Sequence, residues 1–178
     1  MIHHQFIGLA IIASLSFTAA LRAEDKWETF TSKAGKYSIL LPAKPTEAEQ
    51  KFDSNGVELT MHTAIVAPNN DLVYLVAYNE YPEAAIAGAD KEALLDGVRE
   101  GDVKTFGGKL ASEKKITLGK EKNPGREILL EKPDESRVYR SRAYFAGNRL
   151  YQIVIIAAKD VATNKETDKY FDSFKLGE

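Results

Sequence analysis

Two arginines and two tyrosines beside Gly147-Asn148 are the side chains in this sequence best suited to holding a charged partner. A two-residue loop at Gly147-Asn148 is typical of a tight hairpin, and it sets Tyr144 opposite Tyr151. Because side chains alternate between the faces of a strand, one face then carries all four residues: Arg140, Arg142, Tyr144 and Tyr151. Guanidinium groups bind carboxylates and phosphates, and tyrosine rings supply rigid contact area. We predict that these four residues bind an anion or an acidic partner.

The two arginines also have a purely structural interpretation. Their aliphatic stems would cover apolar surface where a helix meets the sheet, with the charged ends paired to Glu127 or Glu131. The opposite face of the hairpin carries apolar and aromatic residues that are predicted to be core: Tyr139, Phe145, Leu150, Val154 and Ile156. Both interpretations of Arg140 and Arg142 stay open at this stage.

Residues for nucleophilic or acid–base catalysis are sparse. The chain has no cysteine, which removes thiolate nucleophiles and zinc fingers. Beyond residue 23 the only histidine is His62, and a two-residue hairpin at Asn55-Gly56 would place Glu49 opposite it. Such a pair can orient an imidazole as a general base, but no nucleophile accompanies it in the local sequence. We therefore expect a cross-strand surface pair, no catalytic residue and no enzyme.

The sequence also offers little for a metal or a cofactor. Transition metals need several histidine or cysteine ligands, so we expect neither a metal site nor a cofactor. The run Asp53-Ser54-Asn55-Gly56 is similar to the start of a calcium loop, but the later ligands are missing. A hairpin turn explains this run better, and a weak cation site there stays an open alternative.

Length and composition indicate one folded domain. The chain has 178 residues, of which 44% are hydrophobic and 28% charged, and this is too apolar for a disordered protein. Its formal net charge of -2 excludes binding to nucleic acid through electrostatics alone, which needs a strongly basic surface. We expect no nucleic-acid partner.

Residues 1–23 are predicted to be a signal peptide. Residues 6–21 form an apolar run, small residues follow at Ala19, Ala20 and Ala23, and charge begins at Glu24. The run is short for a membrane span, which needs about 20 apolar residues. We predict cleavage after Ala23, with Ala20 as the alternative position. Cleavage after Ala23 would leave a single domain, 24–178, that is periplasmic or secreted and has no membrane span. Retention of the segment as an uncleaved anchor is the alternative.

Apolar and polar residues alternate through most of the remaining chain. This period of two predicts six strands, over 57–65, 72–81, 109–118, 126–132, 137–146 and 149–158. The turn signals Asn55-Gly56 and Gly147-Asn148 join neighbouring strands as hairpins, which makes the sheet antiparallel.

Two segments have helical spacing instead. The first covers residues 90–106, with Asp90 as its N-cap. The second begins with the capping box Thr163-x-x-Glu166 and carries an aromatic stripe of Tyr170, Phe171 and Phe174, which needs a sheet to pack on. The predicted fold class is α+β, an antiparallel β-sheet covered by helices in an α-β-α sandwich.

The two ends of this chain resemble the PsbP/Mog1-like domain family. At the front stand an aromatic residue, Trp27, then Gly35-Lys36-Tyr37-Ser38-Ile39 and a P-x-x-P run from Pro42 to Pro45. At the back stands Phe171-Asp172-Ser173-Phe174. The resemblance covers nearly all of residues 27–176 and extends to secreted bacterial members of undefined role. It implies an antiparallel sheet covered by helices, in agreement with the residue pattern.

Roles within that family diverge. One branch is an accessory subunit of the oxygen-evolving photosystem and another binds a small nuclear GTPase, but no residue motif here carries either role across. The resemblance implies a non-catalytic binding or accessory module that recognises a protein or an envelope component. The alternative is a carrier that holds an apolar or anionic small molecule in a pocket between sheet and helix.

Overall fold

The computed structural model describes residues 27–54, 56–132 and 136–177, so the predicted signal peptide lies outside the described part of the chain. The strands in chain order are β1 (Glu28–Ser32), β2 (Tyr37–Leu41), β3 (Thr46–Ser54), β4 (Val57–Asn69), β5 (Leu72–Glu80), β6 (Lys109–Leu118), β7 (Asn123–Glu131), β8 (Arg137–Ala146), β9 (Arg149–Ala158) and β10 (Lys175–Leu176). The helices are α1 (Glu83–Ile86), α2 (Lys91–Phe106), α3 (Lys159–Ala162) and α4 (Lys165–Asp172).

Seven of these strands form one antiparallel sheet in the order β3-β4-β5-β9-β8-β7-β6, with β3 and β6 at its edges. All six strands predicted from the alternation are present, and two of them are longer than predicted. The strand from Val57 runs on to Asn69, and β7 starts at Asn123. A small second sheet, in the order β1-β2-β10, joins the two ends of the domain.

The large sheet has two differently covered faces, named here after their main helices. The α2 face carries Leu75, Ser141 and Gln152, and α2 packs on it over β7 and β8. The α4 face carries Val76, Arg142 and Ile153, and it is covered by α3, α4 and the small sheet. The predicted sandwich of helices around an antiparallel sheet is confirmed, and the small sheet is an addition to it.

Both hairpin registers follow the turn chemistry. In the first hairpin Ser54 pairs with Val57 and Glu49 with His62. In the second, Tyr144 pairs with Tyr151 as predicted. Gly147 has a φ of 60°, a left-handed conformation that glycine adopts without steric strain. Because each register fixes which side chains share a face, the first turn sets His62 opposite Glu49 and the second sets Tyr144 opposite Tyr151.

The ends of the two longer helices were predicted with different success. The Asp90 carboxylate accepts a hydrogen bond from the amide of Glu92 at 2.9 Å, so Asp90 caps α2 as expected. The capping box predicted from Thr163 is wrong, because the Thr163 hydroxyl donates to the carbonyl of Lys159 at the end of α3. Asn164 caps α4 instead, and its side-chain oxygen accepts from the amide of Thr167 at 2.9 Å.

The stripe of Tyr170, Phe171 and Phe174 is buried against the sheet, which confirms its predicted role as core. Among the described residues, no helix has both the length and the apolar character that crossing a bilayer requires.

Candidate functional site

The two predicted arginines lie side by side on the α4 face and are already paired with acidic side chains. Arg140 contacts Asp168 at 2.8 Å and Glu127 at 3.3 Å. Arg142 donates from Nε to the other oxygen of Glu127 and from Nη1 to Asp172 at 2.6 Å. The carboxylate of Glu127 therefore bridges both guanidinium groups, and α4 supplies one further carboxylate to each.

The sequence of α4 explains this geometry. Asp168 and Asp172 are four residues apart, so both carboxylates project from the same side of the helix toward the sheet. The guanidinium carbons of Arg140 and Arg142 lie 4.8 and 5.1 Å from the centroid of the Phe171 ring. The arginine stems thus cover an aromatic ring while their charged ends bind carboxylates.

Little of either arginine is left for an external ligand. The side chain of Arg140 is 11% exposed and that of Arg142 is 17% exposed. Burial alone would lower the pKa of Arg142, but its hydrogen bonds to Asp172 and Glu127 outweigh burial and raise that pKa. Arg142 therefore stays charged, and the charge is neutralised within the chain.

The two predicted tyrosines are part of the apolar core. Tyr144 stacks parallel to Phe174, and the Tyr151 hydroxyl donates to the carbonyl of Gly35 at 2.9 Å. Burial raises the pKa of both phenols. The structure brings the four predicted residues onto one face, as the register required, in a seam between sheet and helix. Their role in binding a partner stays a prediction.

The structural interpretation of the arginines predicted pairing with Glu127 or Glu131, and both arginines are paired with Glu127. Glu131, the other carboxylate considered from the sequence, binds Lys159 at 2.8 Å instead. Side chains also fill the space between the sheet and α4, where Tyr170 is fully buried and Phe171 and Phe174 nearly so.

A cleft of about 510 Å³ lies at a different place, at the end of the sheet where β4, the end of β5 and the β8–β9 turn meet. Its walls come from three separate stretches of chain: Glu58, Leu59, Thr60 and His62; Glu80, Tyr81, Pro82 and Glu83; and Asn148. Three carboxylates therefore stand around a wall that also presents an imidazole, an aromatic ring and an amide.

One side of the cleft is held by the β8–β9 turn. The side-chain amide of Asn148 donates to the carbonyl of Tyr81, and the amide of Tyr81 donates back to the carbonyl of Asn148, both at 2.9 Å. Next to them Arg149 donates to Glu80 at 2.8 Å. This hydrogen bond is the main reason that the pKa of Glu80 is lowered. The turn and the end of β5 therefore form one rigid wall.

The other side carries His62. Its Nδ1 lies 3.1 Å from the carboxylate of Glu49, which confirms the pair expected from the hairpin register. The imidazole also stacks on Tyr78, with ring centroids 4.6 Å apart and planes 8° apart. The ring is thus fixed in orientation between a carboxylate and an aromatic face, with 31% of the side chain exposed.

Sequence reasoning found His62 and its partner but did not find the cleft. Its lining residues are distant in sequence, and no single segment carries a recognisable ligand motif. The available signal was the Gly147-Asn148 turn. When the tip of a hairpin forms hydrogen bonds with the end of a neighbouring strand, the two segments form one wall of a cleft. Within the described residues, no group of three or more histidine or acidic side chains is arranged to hold a metal ion.

Comparison with known proteins gives a likeness in fold. No family model matches the sequence, and no curated protein matches it. Among solved structures, the chain is similar to cyanobacterial PsbP (CyanoP) from Synechocystis sp. PCC 6803, with a TM-score of 0.57. The likeness covers 90% of this chain and 98% of that chain, at 13% sequence identity. The element order and these comparisons together show that the chain has a PsbP-like α+β fold.

Proposed function

We propose that the protein is a non-catalytic, extracytoplasmic binding module, and that its partner docks at the cleft beside Asn148. The cleft is the observation that carries this proposal, because it is open, rigidly walled and lined by polar groups. The predicted signal peptide over residues 1–23 supports a location outside the cytoplasm, and the PsbP-like fold supports an accessory role.

The contrast between cleft and seam decides where the partner is expected. At the seam, Arg140 and Arg142 have carboxylate partners and small exposed areas, so an incoming anion would have to displace Glu127, Asp168 or Asp172. At the cleft, Glu83 lies in the first turn of α1 and has no ion-pair partner among the described residues. Glu58 and Glu80 are exposed but paired with Lys51 and Arg149, so the carboxylate of Glu83 is the group that favours a partner surface with basic or hydrogen-bond-donating groups.

Site-specific photocrosslinking in the native cells tests this placement. A photoreactive residue at Thr60 in the full chain should give a discrete adduct, because Thr60 lines the cleft. The same residue at Lys165, on the outer side of α4, should give none. The charge reversal Glu83→Lys should weaken the Thr60 adduct several-fold, because the like charges would repel a basic partner.

Two outcomes would contradict the cleft. Adducts from a probe at Asp172 but not at Thr60 would favour the four residues predicted from the sequence. Equal adducts from Thr60 and Lys165 would show contact without a defined docking surface.

A hydrolytic or other enzymatic role is the second candidate, and the His62–Glu49 pair in the cleft wall is the observation that favours it. An imidazole oriented by a carboxylate is the usual form of a general base. Stacking on Tyr78 and the lack of a cysteine or serine among the lining residues favour binding instead. Any activity found in the purified protein should be compared with that of His62→Gln, and loss of turnover in this variant would replace the binding proposal.

A further inference from the structure

A buried carboxyl group lies between α2 and the sheet, far from the cleft. Asp102 is 2% exposed on the inner side of α2. One of its oxygens, Oδ1, accepts a long hydrogen bond of 3.3 Å from the side-chain amide of Gln152. The other oxygen, Oδ2, has no hydrogen-bond partner among the described residues, and neither has the neighbouring hydroxyl of Tyr139. The carboxyl is thus only weakly satisfied.

The approach of α2 to the sheet makes this site tight. Gly97 and Gly101 are buried on the same helix, and neither has a side chain to hold the backbone away from the strands. Burial, and secondly the Asp102 carboxylate itself, raise the pKa of Tyr139. There is little room for water to solvate a charge.

Among the described residues, no cation on the elements packed around Asp102 compensates its charge. The groups that face it are neutral: Tyr139 and Ser141 from β8 and Gln152 from β9. They can donate to a carboxylate, but they offset only part of the effect by which burial raises the pKa of Asp102. The cation that β7 places on this face, Arg126, binds a different set of carboxylates, those of Glu92, Asp96 and Glu113. Arg99 of α2 binds Asp96, Glu100 and Glu113. A charge on Asp102 would therefore be buried and unpaired.

We propose that α2 is a pH-responsive cover: Asp102 is a neutral carboxylic acid while α2 is packed on the sheet, and loss of its proton favours release of the helix. A neutral carboxyl can donate a hydrogen bond as well as accept one, so it suits a site with an unpartnered tyrosine oxygen. A carboxylate can only accept hydrogen bonds, and the neutral donors around it do not balance its charge; water or a cation, which only an opened helix can admit, would solvate it better.

The direction of the pH effect follows from linkage. Burial raises the pKa of Asp102 from 3.8 to about 7. In the opened state the exposed group has its ordinary value, so the closed state retains its proton to a higher pH. The stabilising effect of the buried acid is therefore complete below about pH 4, declines as the pH rises, and is lost above about pH 7. Across this range the opening equilibrium of α2 should rise by up to about a thousandfold.

Amide hydrogen exchange of the full chain measures this opening. Protection of the α2 amides, corrected for the intrinsic pH dependence of exchange, should fall by on the order of a hundredfold between about pH 5 and pH 7. Protection of the α4 amides should exceed that of the α2 amides at each pH, because α2 opens on its own and α4 opens last. In Asp102→Asn the pH dependence of α2 should disappear, because this side chain has the same shape and no charge.

The matched control is Glu100→Gln. Glu100 lies on the same helix with 60% of its side chain exposed, so this variant should keep the pH dependence of the unmodified protein. A carbon NMR titration of the Asp102 carboxyl in the unmodified chain gives a second, independent measurement and does not require any variant to fold. A midpoint near pH 7 supports the proposal, and a midpoint near pH 4 overturns it. Equal protection of the α2 and α4 amides at every pH, which would mean that both helices open together, would also overturn it.

Discussion

The two faces of the large sheet are stabilised in different ways. The α4 face has one large apolar cluster rich in aromatic rings, whereas the α2 face has two smaller clusters. Most of the buried polar side chains lie on or under the α2 face: Thr63, Asn79, Asp102, Arg126, Ser141 and Gln152. The α4 face thus combines a large apolar cluster with the ion pairs of Arg140 and Arg142 at its seam, whereas the α2 face carries more of the buried polar side chains. We infer that the apolar cluster under α4 contributes more to the stability of the fold than the contacts under α2.

Unpartnered polar atoms sharpen the contrast. The buried side-chain atoms without a hydrogen-bond partner, among the described residues, all belong to the α2 side: Asn79 Nδ2, Asp102 Oδ2, Arg126 Nε and Tyr139 OH. Each such group loses its hydration without gaining a protein hydrogen bond, which destabilises the folded state. The α4 side therefore opens last, and the α2 side is the part of the domain expected to respond to conditions.

Tyr170→Ala should have the largest effect on stability. The side chain is fully buried between sheet and helix, and its hydroxyl donates to the carbonyls of Leu75 and Val154 at 3.0 and 3.2 Å. Loss of the ring should lower the free energy of unfolding by about 4 kcal/mol, measured by denaturant titration. Tyr170→Phe keeps the ring and should lower it by about 1 kcal/mol. A larger loss in Leu95→Ala, on the α2 side, would reverse the comparison.

Arg126→Met should have an intermediate effect on the α2 side. This guanidinium is 8% exposed and binds three carboxylates, so its removal leaves Glu92 and its neighbours less well paired. We expect the free energy of unfolding to fall by about 2 kcal/mol. The control is Lys115→Met, since Lys115 binds the same Glu92 but is 71% exposed; its effect should stay below about 0.5 kcal/mol. Equal effects would mean that the buried charges of this face add nothing beyond surface pairing.

Glu80→Gln should have the smallest effect, with a pH dependence opposite to that of Asp102. The pKa of Glu80 is lowered, chiefly by its hydrogen bond with Arg149, so its contribution is present above a pH of about 4.5 and is lost as the pH falls. Because the side chain is half exposed, we expect at most about 0.5 kcal/mol at neutral pH and no difference near pH 3. Denaturant titration at both pH values measures this, with Glu83→Gln as the unpaired control.

The sequence predicted those parts of the molecule that follow from local rules. The six strands, both hairpin registers and the core role of Tyr170 and Phe174 depend on alternation, turn residues and aromatic spacing. The start of α2 depended on one capping residue, Asp90. The predicted start of α4 was wrong by one position, because Thr163 and Asn164 are both good caps. Only the preceding turn of α3 shows that the Thr163 hydroxyl already donates elsewhere.

The features that the sequence did not predict depend on contacts between distant segments. The cleft needs β4, the end of β5 and the tip of the second hairpin at one corner. The environment of Asp102 needs the distance between α2 and β8, which no local pattern gives, and the isolated helix would present this residue as an ordinary acid. One partner of Arg140 and Arg142 was predicted, because Glu127 lies on the neighbouring strand. Asp168 and Asp172 were not predicted, because they come from α4.

The two edges of the large sheet have a practical consequence for concentrated samples. Edge strand β3 carries three acids, Glu47, Glu49 and Asp53, and one base, Lys51, while β6 carries three bases, Lys109, Lys114 and Lys115, and one acid, Glu113. When two molecules approach by the same edge, the like charges repel each other, and this repulsion opposes hydrogen bonding between the two edge strands. Dissolved salt weakens that repulsion over distances of about 10 Å. The ionic strength of the storage buffer thus determines how strongly like edges of two molecules repel each other.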